Sequence, residues 1–511
     1  MKVNRTQNAK RNIVVGIINK CVVLILPFIV RTVFIYSLGS EYLGLNSLFT
    51  SILSVLNVTE LGFSSAVVYC MYEPIAKDDT AAINALLKFY KKVYFTIGVI
   101  IFVLGIILMP FLPYLINGGC PPDLNLYILF FVYLLNTCVS YFLFAYKKSI
   151  LEAFQRRDII DWNNMISVGL MNLIQLILLL IWKNPKVYYI YLLMMLLSTI
   201  LNNILNSKIV DKKYPQYYCD GELGKEVKQV LKKQVSGLMI TRVCQMTRTS
   251  CDSIFISAFV GLTMTTIYGN YNMIVTTLVG VMNVLTNAML AGVGNSIVSE
   301  SEEKNYKDFK KFNFIYMWIS GWSAVTLFVL YQNFMKVWVG DSLMLTTFGA
   351  ALFTLYYYAL KIGDIRAVYS DAIGLWWENR NRAIAEMLMN ILLNFVLGKL
   401  YGIYGIVLAT IIPLVTINFT GGAQILFKNY FKSYSLIEYF VDNAKYFFAM
   451  AFSAVLTSLI TYKLGNANFV SLILRVLVCC IIPNFVFWLC YRKQDNYKEA
   501  KRWILKKYAK H

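Results

Sequence analysis

Residues 240–262 read ITRVCQMTRTSCDSIFISAFVGL, two arginines and an aspartate at the head of an otherwise apolar run. Whether this run crosses a membrane decides the side on which every later segment lies. The chain is 58% hydrophobic, 15% aromatic and only 15% charged over 511 residues, more apolar surface than a soluble core of that length hides. Runs of about 20 mostly apolar residues, enough to cross roughly 30 Å of hydrocarbon, recur from end to end. They predict fourteen spans: 12–38, 44–72, 93–116, 125–146, 162–182, 187–206, 234–258, 266–298, 312–332, 345–369, 383–397, 403–426, 446–462 and 469–490. With the N-terminus inside, 36 of the 48 Lys and Arg fall in inside segments, five in outside loops and seven within spans. Cytoplasmic loops retain positive charge, so this asymmetry fits. If 234–258 stayed in the cytoplasm, the second half would place 17 basic residues outside and only three inside. The charged run must therefore cross.

The net charge of +21 is then mostly the positive-inside signal, helped by anionic membrane lipid, and implies no nucleic acid. The linker GKEVKQVLKKQV (224–235) and the tail NYKEAKRWILKKYAKH (496–511) have amphipathic helical spacing, in the linker through Val227, Val230 and Leu231, and are expected at the membrane surface. The first apolar segment is too long for a signal-peptide core and is expected to remain as span 1. The ten cysteines show no C-x-x-C spacing, eight lie in spans, and Cys120 alone is expected in an outside loop, so they read as buried thiols. The one histidine is His511, which excludes a His-based metal site and a Ser-His or Cys-His catalytic pair. No G-x-x-x-x-G-K-[ST] loop is present, so the chain does not hydrolyse ATP through that motif.

The sequence repeats itself. Span 1 runs into FIYSLGSEYLGLNSLFTSIL (34–53) and span 7 into FISAFVGLTMTTIYGNYNMIVTTL (255–278): an aromatic-rich helix end, a glycine, a polar turn, a second glycine, then a helix rich in Asn, Ser and Thr. This reading matches Gly39 and Gly44 with Gly261 and Gly269, the second turn being longer. It divides the chain into a six-helix bundle (1–211), a basic cytoplasmic linker (212–233), a second six-helix bundle (234–430), and spans 13 and 14 with a basic cytoplasmic tail (431–511). The fold expected is an all-α polytopic membrane protein with two parallel six-helix repeats around a central cavity.

The paired helix-turn-helix starts, the NVTELGFSSAVVY segment of span 2 (57–69) and the twelve-plus-two count resemble the polysaccharide-transport branch of the multidrug/oligosaccharidyl-lipid/polysaccharide exporter superfamily. The resemblance covers nearly the whole chain through short, degenerate motifs. That branch holds flippases of O-antigen and capsule repeat units, and lipid II flippases and multidrug extruders are its cousins. The resemblance implies that spans 1, 2, 7 and 8 line a cationic cavity opening alternately to each side.

The residues of those spans agree. Span 1 carries Asn12, Gly16, Asn19, Lys20 and Arg31 on or near one face, and span 2 carries Asn46, Thr50, Ser54, Asn57, Glu60 and Ser64. Span 7 carries Arg242, Gln245, Arg248 and Asp252, and span 8 Asn272, Thr276, Gly280, Asn283, Asn287 and Gly294. A charge at mid-bilayer costs roughly 2.5–3.5 kcal/mol, so three on span 7 cost about 8–10 kcal/mol unless they face water or one another. Lys20, Arg31, Arg242 and Arg248 are the expected cargo-binding cations. Asn19, Asn57, Gln245, Asn272, Asn283 and Asn287 are the expected polar lining, and Glu60 and Asp252 the candidates for ion coupling. Plainer readings stand beside these. Arg248 and Asp252, one turn apart, either neutralise each other or leave Arg248 for cargo, and Lys361 and Asp364 pair at i, i+3. Arg366 and Arg475 are expected to snorkel toward helix ends.

A cationic cavity implies an anionic cargo, and a polyprenyl-pyrophosphate-linked oligosaccharide fits: arginine takes phosphate oxygens bidentately while amides and hydroxyls take sugars. The expected function is a flippase for surface polysaccharide assembly in the bacterial cytoplasmic membrane, both termini inside. It would need no cofactor, drawing on an H+ or Na+ gradient or the membrane potential, and would work with a polysaccharide polymerase and glycosyltransferases. The alternative is an ion-coupled multidrug or cation antiporter. A membrane-embedded polymerase or glycosyltransferase fits less well, because the expected outside loops, such as NGGCPPDLN (117–125), are too short to build a catalytic site alone.

Overall fold

The computed structural model describes residues 5–57, 63–182, 184–224, 243–248, 250–462, 464 and 469–508, and among these there is no strand. The chain divides into two compact units, Met1–Thr266 and Ile267–His511. Unit 1 holds α1 (Arg5–Leu38), α2 (Ser40–Leu56), α3 (Phe63–Ala76), α4 (Thr80–Leu108), α5 (Leu126–Phe142), α6 (Lys148–Ala153), α7 (Arg157–Ile181) and α8 (Val187–Lys213). It also holds α9, helical over 243–248 and 250–259, and the first turn of α10 (Leu262–Ser299). Unit 2 continues with α11 (Glu302–Val339), α12 (Thr347–Lys361), α13 (Asp364–Ile373), α14 (Trp376–Pro413), α15 (Thr420–Asn429), α16 (Leu436–Tyr462), α17 (Phe469–Tyr491) and α18 (Asp495–Tyr508).

Nine helical runs among the described residues are long and apolar enough to cross a bilayer, or ten if α5 and the segment bent from it by 47° count as one. The fourteen expected segments are all largely helical over their described residues. They outnumber the long runs because several helices are interrupted and one run is double. Span 2 breaks after α2 at Asn57, and span 10 breaks between α12 and α13 at Ile362 and Gly363. The stretch Trp376–Asn429, helical almost throughout, reverses at Gly402 (φ 57°, ψ −135°). The proof is Asn390, whose Nδ2 donates to the Ala409 carbonyl at 3.2 Å and to Thr410 Oγ1 at 3.1 Å. Residues that far apart along a straight helix would lie roughly 28 Å from each other. Gly402 thus separates the expected spans 11 and 12.

The repeat takes a tighter form than its sequence suggested. Gly39 (φ +102°) links α1 to α2 and Gly261 (φ +115°) links α9 to α10, and in each copy the next helix begins at the following residue. Only glycine adopts that backbone without strain. Counted from these glycines, Gly44 falls at Thr266 and not at Gly269, which lies within α10; the second turn is longer by one residue, Val260. The two turns meet inside unit 1: the Thr266 hydroxyl donates to the Ser40 carbonyl, and a Cβ on Gly44 would stand 2.2 Å from the Leu262 carbonyl oxygen.

Aromatic packing closes unit 1. Phe34 of α1 meets Tyr188 and Tyr191 of α8 at ring-centroid distances of 5.4 and 5.2 Å, and Phe49 of α2 meets Phe130 and Tyr133 of α5, both at 5.4 Å. In unit 2, α11 is the spine. Trp318 and Trp322 donate from Nε1 to Asn484 Oδ1 (2.8 Å) and the Cys479 carbonyl (2.9 Å), which fastens α17 to it. The basic tail helix α18 lies against the same spine, with Trp503 edge-on to Phe312.

Candidate functional site

In unit 1, α1 runs along α7, and Asn19 is a polar contact between them. Its Nδ2 donates to Asp161 Oδ1 at 3.1 Å, and its Oδ1 accepts from Asn164 Nδ2 at 3.3 Å. The chain of amides continues into α8. Asn202 donates to Asn164 at 3.3 Å, Asn206 to Asn202 Oδ1 at 2.8 Å, and Asn163 to Asn206 at 2.9 Å. Asn19 is therefore a buried helix-to-helix connector, where the sequence reading placed it on a cavity wall. The amide supplies both donor and acceptor, so it satisfies neighbours that are also amides. Lys20, the next residue, is exposed, and Arg31, about 16 Å along the helix, is partly buried within electrostatic reach of Tyr191.

The polar stripe of α2 stands apart from its apolar face. Leu43, Leu45, Leu48, Phe49, Ile52 and Leu53 are buried, while Asn46, Thr50, Ser54 and Asn57 are partly or fully exposed. Asn57, at the helix end, accepts from the Tyr141 hydroxyl of α5 at 2.9 Å. Glu60 and Arg242 lie outside the described residues. On α9 the expected stripe divides: Gln245 is exposed, whereas Arg248 (9% exposed) and Asp252 (1%) are buried one turn apart. On α10, Asn272 is partly buried, Asn283 and Asn287 are exposed, and a Cβ on Gly280 would meet only open space.

Unit 2 holds a second group of buried charges. Arg366 of α13 donates from Nη2 to Asn418 Oδ1 at 2.9 Å, and Asn418 Nδ2 donates to Glu386 Oε2 at 2.7 Å. Arg382, one turn before Glu386, donates to the same oxygen at 2.9 Å. A π-helical turn, Leu414–Phe419, places Asn418 between the two. Arg366 (4% exposed) and Arg475 (8%) are thus buried in unit 2, in place of the snorkelling expected for them. For Arg366 the reason is room: a Cβ on Gly422 would lie 1.6 Å from its Nη1. Gly422→Ala is expected to cost about 1–3 kcal/mol by overpacking, read as a lower thermal midpoint of the purified protein in detergent. An unchanged midpoint would contradict this placement of Arg366. Lys361 Nζ and Asp364 Oδ2 pair at 2.6 Å as the sequence predicted, and the Tyr316 hydroxyl donates to the same carboxylate.

No protein-family model matches the chain, and a search of curated proteins finds no match. Solved structures do match. The lipid II flippase MurJ in an inward closed conformation is 17% identical with a TM-score of 0.64, over 94% of this chain and 99% of that one. An inward-facing multidrug resistance MATE family transporter of the MOP superfamily is 12% identical with a TM-score of 0.60, over 79% and 94%. A MOP superfamily transporter from Pyrococcus furiosus, described as having a binding pocket of reverse polarity that suggests a different function, is 13% identical with a TM-score of 0.54, over 82% and 96%. The fold is that of the MOP superfamily transporters.

On this MOP fold, sequence reasoning placed Arg248 and Asp252 together on α9, and they are buried there as a pair of positions one turn apart. It missed the amide chain of α7 and α8 and the Arg366–Asn418–Glu386 group. A signal for the first was present in DWNNM (161–165) and LNNILNS (201–207), where asparagines crowd into apolar helices. Nothing in the sequence pointed to the second, since residues 366, 386 and 418 meet only through the reversal at Gly402 and the π turn.

Proposed function

We propose that this multi-pass membrane protein is a flippase that carries a polyprenyl-pyrophosphate-linked oligosaccharide across the bacterial cytoplasmic membrane by alternating access, in surface polysaccharide assembly. The observation that supports this reading is that Arg31 lies in the apolar, membrane-crossing run of α1 and that Arg248 is buried on α9 of unit 1. Each costs roughly 2.5–3.5 kcal/mol on insertion, and intramembrane charges of this kind mark substrate paths. A guanidinium offers a pyrophosphate two parallel N–H donors in the fork geometry that phosphate oxygens accept. The polyprenyl tail stays in lipid. Asp252, buried a turn from Arg248, is the described carboxylate placed to couple transport to H+ or Na+, with the membrane potential as a further drive. Both termini lie in the cytoplasm, and a polymerase and glycosyltransferases act before and after the transfer.

A multidrug or cation antiporter draws on the same fold, which MATE transporters share, and on the same buried Asp252. Cargo charge separates the two. In proteoliposomes, the flippase reading expects protein-dependent translocation of a polyprenyl-pyrophosphate oligosaccharide and no gradient-driven movement of an organic cation dye. Dye efflux without lipid translocation would replace the first reading with the second.

A further inference from the structure

A groove of about 720 Å³ opens on unit 1 beside the first half of α4, between it, the end of α5 and residues 221–223. Lys88, Lys91 and Lys92 stand on its α4 side at i, i+3 and i+4, on one helix face. All three are exposed, and none forms an ion pair with a described residue; Lys91 Nζ lies 6.0 Å from the centroid of the Tyr146 ring. Glu222 is the one acid among the described residues that line the groove, and against three lysines it leaves that lining with a net positive charge.

The depth of these lysines matters. Immediately after Lys92, α4 becomes VYFTIGVIIFVLGIIL (93–108), an apolar run roughly 24 Å long. The lysines therefore stand at the end of a membrane-crossing run, the level of phosphate headgroups. One turn further in, the wall becomes apolar: Phe95 (59% exposed) and Phe142 (39%) lie 5.4 Å apart between ring centroids.

The groove is held open by specific contacts. The Tyr218 N–H donates to Asn84 Oδ1 at 2.9 Å, pinning the segment after α8 onto α4. Gly221 (φ +81°) then turns that segment so closely that its Cβ would lie 3.5 Å from Ala85 Cβ. At the inner end α4 and α5 meet at Gly98, where a Cβ would stand 2.7 Å from the Phe142 ring.

A positive mouth at headgroup depth above an aromatic floor is complementary to one kind of molecule. We propose that this groove binds an anionic phospholipid of the surrounding bilayer, with its phosphate against Lys88, Lys91 and Lys92 and an acyl chain along Phe95 and Phe142. The groove shares no lining residue with the proposed cargo site, and its test does not depend on transport.

The test is native mass spectrometry of the full-length protein titrated with phosphatidylglycerol and with phosphatidylcholine of the same acyl chains. Phosphatidylglycerol is expected to be retained preferentially. K88Q/K91Q/K92Q is expected to weaken that retention roughly tenfold or more, while K88R/K91R/K92R and the control K428Q/K432Q, whose lysines do not line the groove, keep it, with thermal midpoints recorded for each. Equal retention of the two lipids, or an equal loss in the control variant, would overturn the site. So would competition by glycerol phosphate as strong as that by the intact lipid, or displacement by polyprenyl phosphate at lower concentration than phosphatidylglycerol requires.

Discussion

Replacement of Arg31, Arg242 or Arg248 by alanine is expected to leave the protein in the membrane and to abolish export of the repeat unit. Insertion survives because alanine removes a charge that opposed it. Transport fails because each charged hydrogen bond to phosphate is worth about 1.5–3 kcal/mol, so losing a bidentate grip slows translocation by on the order of a hundredfold or more. Surface polysaccharide measured at matched protein levels reads the effect, and normal amounts in all three variants would refute a cationic cargo site. Arg248 allows a finer test, because Asp252 is buried one turn away. If Arg248 serves only to neutralise that carboxylate, Arg248→Lys, which keeps the charge without the planar fork, restores full export. If Arg248 holds the cargo, Arg248→Lys recovers only part of the rate.

Gly405→Ala is expected to have the largest effect on folding. Its Cβ would stand 1.9 Å from the Leu397 carbonyl oxygen, a backbone atom across the reversal at Gly402, so no side chain can move aside. The two helix segments would have to separate, disturbing the Asn390–Thr410 contact and the Glu386–Asn418 contact above it. A cost of about 3 kcal/mol or more follows, large beside the 5–15 kcal/mol of a typical folded domain. Gly280→Ala is the matched comparison: it is also within a helix, but its Cβ would meet open space. Alanine there is expected to be neutral or to stabilise by about 0.5–1 kcal/mol through helix propensity. Thermal midpoints and size-exclusion profiles in detergent compare the two, and equal behaviour would contradict the tight hairpin.

These glycines show where the sequence was readable and where it was not. Gly39 and Gly261 announced themselves as breaks between an aromatic helix end and a polar helix start, and both have the positive φ that demands glycine. Gly405 and Gly422 lie in ordinary apolar helix sequence, and their tight contacts are with Leu397 and Arg366, partners assigned by the reversal of the chain. The same division runs through the polar residues. Asn19 and Asn283 looked alike as members of polar stripes, yet Asn19 is tied to α7 while Asn283 is exposed. Periodicity identifies a face that lipid rejects, but a face that packs on another helix and a face that meets water have the same period.

The sequence by itself determined the helical class and the fourteen candidate segments, and raised the expectation that the charged run of α9 crosses. Apolar length and the distribution of Lys and Arg act residue by residue, so they can be read without knowing which helices touch. Only the tertiary structure decided that Asn19 joins α1 to α7, that Arg366 and Glu386 share Asn418, and that Arg248 and Asp252 are buried while Gln245 is not. Those outcomes depend on the rotation of each helix about its axis, which is set by close approaches at glycine, by a π turn and by chain reversal, each involving residues distant in sequence.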